Sequence, residues 1–223
     1  MSLEPHQADL DSLRQQLLRM AGRVEKMVSQ SVAALVERDP QAARATIEQD
    51  GHVNRHELET DALCLRILDR HHLDGRDLRF VTLALKMVTD LERIGDLAVN
   101  IAERVIDLTA RPLGQPYLHI PRMADLVQGM IRDAVDAFVA GDADRAQEVI
   151  ARDDAVDDLY TKAFRRLLEL MLADEQNIEP GLHVQSVAKW LERMADHSTN
   201  LAEHVILLVE GDDVRHSGKL PAG

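Results

Sequence analysis

The chain carries the same sixteen-residue stretch twice, and this repeat constrains its fold more than any other feature. Residues 91–106 read LERIGDLAVNIAERVI and residues 191–206 read LERMADHSTNLAEHVI, with nine identical positions. Self-similarity at a fixed separation predicts a repeated structural unit. Many of the shared positions are polar, so packing alone does not account for the repetition.

Apolar residues recur at spacings of three and four along most of the chain, a pattern that predicts amphipathic helices. The composition agrees, with 45% hydrophobic, 29% charged and only 3% aromatic residues, as in proteins built from long helices. Asp39-Pro40, Asp74-Gly75 and Gly141 mark helix ends. The sequence predicts six long helices, over residues 6–38, 40–72, 78–110, 120–140, 143–173 and 178–210.

These six helices fall into two groups of three. A Pro- and Gly-rich linker at residues 112–116 separates the groups. The second helix matches the fifth at an offset of 103 residues, and the third matches the sixth at an offset of 100. We therefore predict an all-α fold of two tandem, pseudo-symmetric three-helix bundles, residues 1–111 and 117–214, with a flexible tail over residues 215–223. The predicted apolar side of the second helix contains Ile47, Leu58, Ala62, Leu65 and Leu68.

Charge and motif content exclude several classes of function. A net charge of -13 repels phosphate backbones and anionic lipid, so nucleic acid and membrane surfaces are poor partners. No apolar run is long enough to insert into a membrane, and the N-terminal residues do not resemble a signal peptide. The nucleophile motif Gly-x-Ser-x-Gly is absent. We expect a cytoplasmic protein that is not an enzyme, with Cys64 as a buried thiol.

Each copy of the repeat carries an acidic stripe. At about 100° per residue, Glu92, Asp96 and Asn100 project into one sector of their helix. That sector lies away from the apolar seam, on an outer flank of the bundle. The same three residue types recur as Glu192, Asp196 and Asn200.

The preceding helix of each bundle faces these stripes with further polar residues, Asp50 and Asn54 in one repeat and Asp153 and Asp157 in the other. If the two helices pack antiparallel, Asn54 lies beside Asp96 and Asp50 beside Asn100. Each bundle then brings carboxylates and amides from two helices together. The candidate metal-ligating residues are Asp50, Asn54, Glu92, Asp96, Asn100, Asp153, Asp157, Glu192, Asp196 and Asn200.

Clustered oxygen ligands without a nearby lysine or arginine favour Mg²⁺, Mn²⁺, Ca²⁺ or an iron ion. Two alternatives remain open. Arg93 and Arg193 could satisfy the acids as ion pairs, which would make the protein a helical scaffold without metal. A ferritin-like carboxylate-bridged site is disfavoured, because it needs Glu-x-x-His and none of the ten histidines follows a glutamate at that spacing.

The paired segments LERIGD…N.AE and LERMAD…N.AE, each ending a three-helix unit, resemble the PhoU family of phosphate-uptake regulators over nearly the whole chain. The resemblance implies metal clusters on the bundle surface, of iron or other divalent ions. Two departures make the sites unequal: Asn54 stands where Asp157 stands in the second repeat, and Leu97 stands where His197 does. The implied ligands are Glu92, Asp96, Glu192 and Asp196, faced by Asp50, Asp153 and Asp157.

The resemblance also implies a function. Members of this family restrain the high-affinity phosphate ABC transporter and hold its sensor histidine kinase off when phosphate is ample, and they commonly form homodimers. The expected partners are therefore a second copy, the ATPase subunit of the transporter and the phosphate-sensing kinase. The expected cofactor is a divalent or ferric ion: iron, manganese, magnesium or zinc. An accessory role for a low-affinity phosphate permease is the alternative.

Overall fold

A computed structural model of the chain describes residues 5–109, 117 and 119–211. These residues form eight α-helices and one short 3₁₀-helix, and no strand. The predicted linker at 112–116 and the predicted tail at 215–223 lie outside the described residues. The helices are α1 (Pro5–Glu37), α2 (Pro40–Ile47), α3 (Asp50–Arg70), α4 (Gly75–Leu108), α5 (Ile120–Ala140), α6 (Ala143–Ala151), α7 (Asp153–Ala173) and α8 (Ile178–Glu210), with the 3₁₀-helix Glu175–Asn177 before α8.

The all-α architecture and its repeat are confirmed, but two of the six predicted helices are interrupted. The second divides into α2 and α3 at residues 48–49, and the fifth divides into α6 and α7 at Arg152. Both short helices are capped at the predicted residue: the Asp39 carboxylate accepts from the Gln41 amide at 2.8 Å, and Asp142 from the Arg145 amide at 3.0 Å. The interruptions make Asp50 and Asp153 the first residues of α3 and α7.

Four long helices form the centre of the molecule. Helix α1 packs on α4, α5 packs on α8, and α4 also packs on α8, joining the repeats. The shorter pairs, α2–α3 and α6–α7, cover the outer sides of α4 and α8. One hydrophobic core runs through both repeats, so the two bundles share an interior built mainly from aliphatic side chains. Among its fully buried residues are Leu17, Met87, Leu91, Ile101 and Phe138.

The predicted apolar side of the second helix is wrong in part. Leu58 is 69% exposed and Leu65 62% exposed. Helix α3 instead buries the narrow face that carries Val53, Cys64 and Ile67, because the leucines project from the opposite side at 100° per residue. The prediction for Cys64 is confirmed, and burial raises the pKa of its thiol to about 12.

None of the helices in the described part of the chain is both long and apolar enough to cross a membrane.

Candidate metal centre

The first acidic cluster forms where α3 lies along α4. Asp50 begins α3, and Asn54, one turn later, donates from Nδ2 to Asp50 Oδ2 at 2.8 Å. Burial raises the pKa of Asp50, the hydrogen bond from Asn54 opposes this, and the negative charge of Asp96 on α4 raises the pKa further. The predicted meeting of the two helices at these residues is therefore present in the structure.

Gly95 lets α3 approach α4 closely at this point. A Cβ atom added to Gly95 would lie 3.3 Å from Val53 Cγ1, which is tighter than an ordinary van der Waals contact. Val53 is fully buried. The missing side chain thus allows α3 and α4 to pack closely beside the acidic residues.

Glu57 also belongs to this cluster, although matching the two repeats of the sequence does not predict it. Burial raises the pKa of Glu57, and the charges of Asp61 and Asp96 raise it further against the opposing effect of Arg93. Its repeat counterpart, at an offset of 103, is Tyr160, so a search for matched positions could not find it. The three-residue step from Asn54 could have found it, because that step keeps Glu57 on the same side of α3.

Glu57 changes the expected inequality between the two sites. The sequence predicts one negative charge fewer in the first cluster because Asn54 replaces an aspartate. Burial raises the pKa of Glu92, and the charges of Asp96, Glu57 and Asp50 raise it further, while Arg93 opposes them. The first cluster therefore contains four carboxylates, and Glu57 makes up the deficit.

The second cluster forms in the same way between α7 and α8. Burial raises the pKa of Asp153 to about 6, and the charges of Asp157, Asp196, Asp154 and Glu192 add to the shift. The pKa of Asp196 is raised by burial first and then by Glu192. Carboxylates from two helices thus repel one another in a partly desolvated groove, which is the electrostatic condition that a bound cation relieves.

The acidic stripes are less exposed than their position on α4 and α8 predicts. The side chains of Glu92 and Glu192 are only 16% and 14% exposed. The prediction of an outer flank fails because α3 and α7 cover that side of the stripe. These glutamates therefore lie in helix–helix grooves.

Each cluster has a basic side chain beside it, so the expectation that no lysine or arginine lies nearby is wrong. Arg93 approaches Asp96 at 3.3 Å and Glu92 at 3.5 Å. In the second repeat Lys189 Nζ lies 2.5 Å from Glu192 Oε1. The Arg93 side chain is 58% exposed, and such a solvated pair contributes little to stability.

Four acceptor oxygens in the clusters remain without a hydrogen-bond partner although they are buried. Leaving such a group unsatisfied costs about 1–3 kcal/mol. A bound cation would satisfy these oxygens, because carboxylate and amide oxygens are ligands for hard cations. All four belong to residues that the sequence predicts as metal ligands. The atoms are Asp50 Oδ1, Asn54 Oδ1, Asp153 Oδ1 and Glu192 Oε2.

The residues present fit a hard cation in their chemistry. In the described part of the chain, no three carboxylate, imidazole or thiol side chains converge as they stand on one ion position. Coordination therefore requires rotation of side chains toward the orphaned oxygens, and Asp157 and Asp196 have the solvent exposure that permits it.

One of the two predicted amide ligands, Asn200 on α8, bonds outside its acidic cluster. Asn200 Nδ2 donates to Asp90 Oδ1 at 3.5 Å, across the interface between the repeats. His197 Nδ1 also lies 2.8 Å from Asp90 Oδ1. Asp90, Asn200 and His204 line a cavity of 390 Å³. Asn200 is therefore directed away from the second cluster. Asn100 is half-buried on α4, and its pairing with Asp50 stays a prediction.

Comparison with known proteins decides the family. The family model described as the PhoU domain matches the chain twice, at residues 17–105 and 120–205. The chain belongs to the PhoU family. Its two domain matches coincide with the two structural repeats, and each contains one acidic cluster.

Individual PhoU relatives cover almost all of the chain. The phosphate-specific transport system accessory protein PhoU homolog of Pseudomonas putida is 42% identical over 95% of this chain and 83% of its own length. The phosphate-specific transport system accessory protein PhoU of Escherichia coli strain K12 is 31% identical over 95% of this chain and 88% of its own. The family is thus associated with phosphate transport.

Solved PhoU structures have the same fold. The crystal structure of PhoU from Pseudomonas aeruginosa superposes with a TM-score of 0.88 at 39% identity, covering 92% of this chain and 99% of that one. The phosphate transport system regulatory protein PhoU from Streptococcus pneumoniae superposes with a TM-score of 0.86 at 27% identity, covering 94% of this chain and 99% of that one. The architecture of tandem three-helix repeats is therefore that of PhoU proteins.

Proposed function

We propose that this protein is a metal-binding negative regulator of phosphate uptake and of the phosphate-starvation response. In this role it is a cytoplasmic homodimeric adaptor between the ATPase subunit of the phosphate ABC transporter and a phosphate-sensing histidine kinase. The relatives named as phosphate transport accessory and regulatory proteins support the regulatory role. They also favour an adaptor over an enzyme.

The observation that carries the metal-binding part is the set of buried, unpartnered acceptor oxygens in the two acidic clusters. Asp50 and Asn54 would hold an ion with Glu57, Glu92 and Asp96 in the first repeat. Asp153 and Asp157 would do so with Glu192 and Asp196 in the second. A bound divalent or ferric ion would supply positive charge that neutralises these acids and ties α3 to α4 and α7 to α8.

Metal binding is tested by elemental analysis of purified protein. Wild-type protein should retain iron, manganese, magnesium or zinc after dialysis, and the double variant Asp96→Ala, Asp196→Ala should lose it. Asp158→Ala is the matched control, because Asp158 is an exposed acid on α7 whose partner is Lys162. Unchanged metal content in the double variant would remove these residues from the assignment. A wild-type protein without metal would favour the scaffold held by ion pairs.

The regulatory role is tested in the source organism by deleting the gene and measuring a phosphate-starvation reporter in phosphate-rich medium. Derepression that wild-type protein restores is the expected result. Restoration by Asp158→Ala but not by the double cluster variant would link regulation to the metal sites. Normal repression after deletion would favour the second candidate, an accessory protein of a low-affinity phosphate permease, in which case phosphate uptake at high concentration should change.

A further inference from the structure

A row of large apolar side chains is exposed on α7, the outer helix of the second repeat. Phe164 is 44% exposed, Leu168 is 45% exposed and Leu172 is 80% exposed. They are four residues apart, so they lie along one side of the helix, and we call them the α7 stripe. The residues that α7 buries are on another side and face α8 and α5. The α7 stripe therefore leaves much of its apolar surface uncovered by the described residues.

The first repeat shows that the fold does not need this stripe. At the offset of 103, the stripe positions correspond to Asp61, Leu65 and Asp69 on α3. Helix α3 packs on α4 as α7 packs on α8, yet two of its three equivalent residues are carboxylates. The apolar character of the α7 stripe is thus specific to one repeat, which indicates a contact outside the chain.

The exposed apolar surface continues onto the start of α8. Ile178 is 46% exposed and Leu182 is 55% exposed. The two helices approach closely here, because a Cβ atom on Gly181 would lie 2.7 Å from Met171 Cε. Single exposed leucines are ordinary, whereas several together on one side of a molecule are typical of a protein–protein interface.

Charges are distributed unevenly along the stripe. Over residues 162–175, basic residues lie toward the N-terminal end of the stripe and acidic residues toward its C-terminal end, and Asp157 and Asp158 lie one turn before the basic residues. Lys162 pairs with Asp158, and Arg166 pairs with Glu169, but these pairs are solvent-exposed and are readily exchanged for others. The basic residues are Lys162, Arg165 and Arg166, and the acidic residues are Glu169, Asp174 and Glu175.

This distribution is self-complementary in one orientation. If two copies of α7 pack antiparallel with Leu168 at the crossing point, Phe164 lies level with the partner's Leu172. Arg165 and Glu169 project from the same flank of α7 at about 100° per residue, so Arg165 comes within reach of the partner's Glu169. A parallel pairing would place basic end against basic end, and the like charges would repel.

We propose that the α7 stripe is the contact between two copies of this chain, packed antiparallel about a two-fold axis at Leu168. A two-fold interface uses the same surface on both subunits, and the apolar row and charge gradient satisfy this condition together. The inference rests on the homodimer of the proposed function and gives that dimer its interface. The start of α8 widens the contact beyond one helix.

Single cysteines test the crossing point. Leu168→Cys should form a disulfide-linked dimer on mild oxidation, since a residue at a two-fold axis meets its own copy. Leu65→Cys on α3 is the matched control and should stay monomeric on a non-reducing gel. The native Cys64 is buried and does not interfere. Phe164→Cys should cross-link with Leu172→Cys when the two proteins are mixed, and self-linking of Phe164→Cys alone would overturn the antiparallel arrangement.

Charge reversal tests the polar contacts. Arg165→Glu and Glu169→Arg should each weaken the dimer roughly tenfold in sedimentation equilibrium, and the double reversal should recover most of the loss. Leu168→Glu should give a monomer, whereas Leu65→Glu should not. If wild-type protein is dimeric and Leu168→Glu remains so, the interface is wrong although the homodimer stands. If wild-type protein is monomeric at micromolar concentration, both the interface and the homodimer fail, while the metal and reporter experiments are unaffected.

Discussion

Asp90 of α4 and His204 of α8 meet across the interface between the two repeats, with Asp90 Oδ2 3.4 Å from His204 Nε2. At the offset of 100 residues, Asp90 corresponds to Trp190 and His204 corresponds to Arg104. Trp190 and Arg104 are also in contact. The Arg104 guanidinium carbon lies 5.7 Å from the centre of the Trp190 ring. The interface thus keeps two-fold geometry while its two ends use different chemistry: a carboxylate with an imidazole at one end, and a cation with an aromatic ring at the other. A duplicated chain permits this because each copy can change independently.

Asp90→Ala should destabilise the protein by about 2–3 kcal/mol. Asp90 is 15% exposed and accepts contacts from His197 and His204, so its removal leaves two partly buried imidazoles without their acceptor. Urea unfolding followed by circular dichroism measures the change. Thr89→Ala is the neighbouring control and should alter the free energy of unfolding by less than about 0.5 kcal/mol, because Thr89 bonds only to the backbone of its own helix. A loss no larger in Asp90→Ala than in this control would mean that the interface does not depend on the carboxylate.

Asp153→Asn should stabilise the metal-free protein at pH 7 and have no such effect at pH 3. Burial and neighbouring acids raise the pKa of Asp153 from 3.8 to about 6. Because the pKa of this carboxyl is higher in the folded state, its contribution to the free energy of unfolding is fully present at pH values below the unfolded-state pKa. That contribution is lost as pH rises through the folded-state pKa. After allowance for solvent screening, the stabilisation at pH 7 should be about 1 kcal/mol. Thermal unfolding in chelator at both pH values measures it, and an equal effect at both would exclude ionisation as the cause.

The same carboxyl should make metal binding depend on pH. A proton and a metal ion compete for the Asp153 oxygen, so affinity at the second cluster should rise as pH increases through about 6. Titration calorimetry with Mn²⁺ at pH 5 and pH 7 measures the difference. In Asp153→Asn the affinity should be weaker at pH 7 and should change less between the two pH values.

Glu57→Gln should weaken metal binding at the first cluster only. Glu57 supplies the fourth carboxylate there, since its charge acts on both Asp96 and Glu92. Measured by calorimetry in an Asp196→Ala background, which isolates the first site, the loss should be about tenfold. Tyr160→Phe is the matched change at the equivalent position of the second repeat. Equal effects of the two substitutions would show that Glu57 is not a ligand.

Gly95→Val should destabilise the fold by about 2 kcal/mol or more, since its side chain would enter the space occupied by Val53. Gly22→Ala is the contrasting substitution in α1, where an added Cβ has no atom within 4 Å. It should stabilise the protein by about 0.5–1 kcal/mol through helix propensity. Chemical denaturation of both variants tests the difference, and similar stability would mean that α3 can move away from α4 without cost.

The sequence was sufficient for the elements that local chemistry controls. Periodicity located the helices, and Asp39 and Asp142 are the caps that their residue type and position predict. The sequence also predicted most of the candidate site, because an antiparallel pairing of α3 and α4 determines which of their residues lie level with one another. The breaks before Asp50 and Asp153 were missed, since neither contains proline, although the acid-rich first turns are a helix-start signal.

What the sequence alone determined was the duplicated helical unit and the residue types that each copy repeats, because those follow from spacing along the chain. Which side of each helix is buried was decided by tertiary packing: Leu58 and Leu65 are exposed while Glu92 and Glu192 are largely enclosed. Burial depends on the neighbouring helix and not on hydrophobicity alone. Packing between helices also brought Glu57 to the first cluster and turned Asn200 toward Asp90. Such contacts between distant parts of the chain exist only once α3, α4 and α8 are placed side by side.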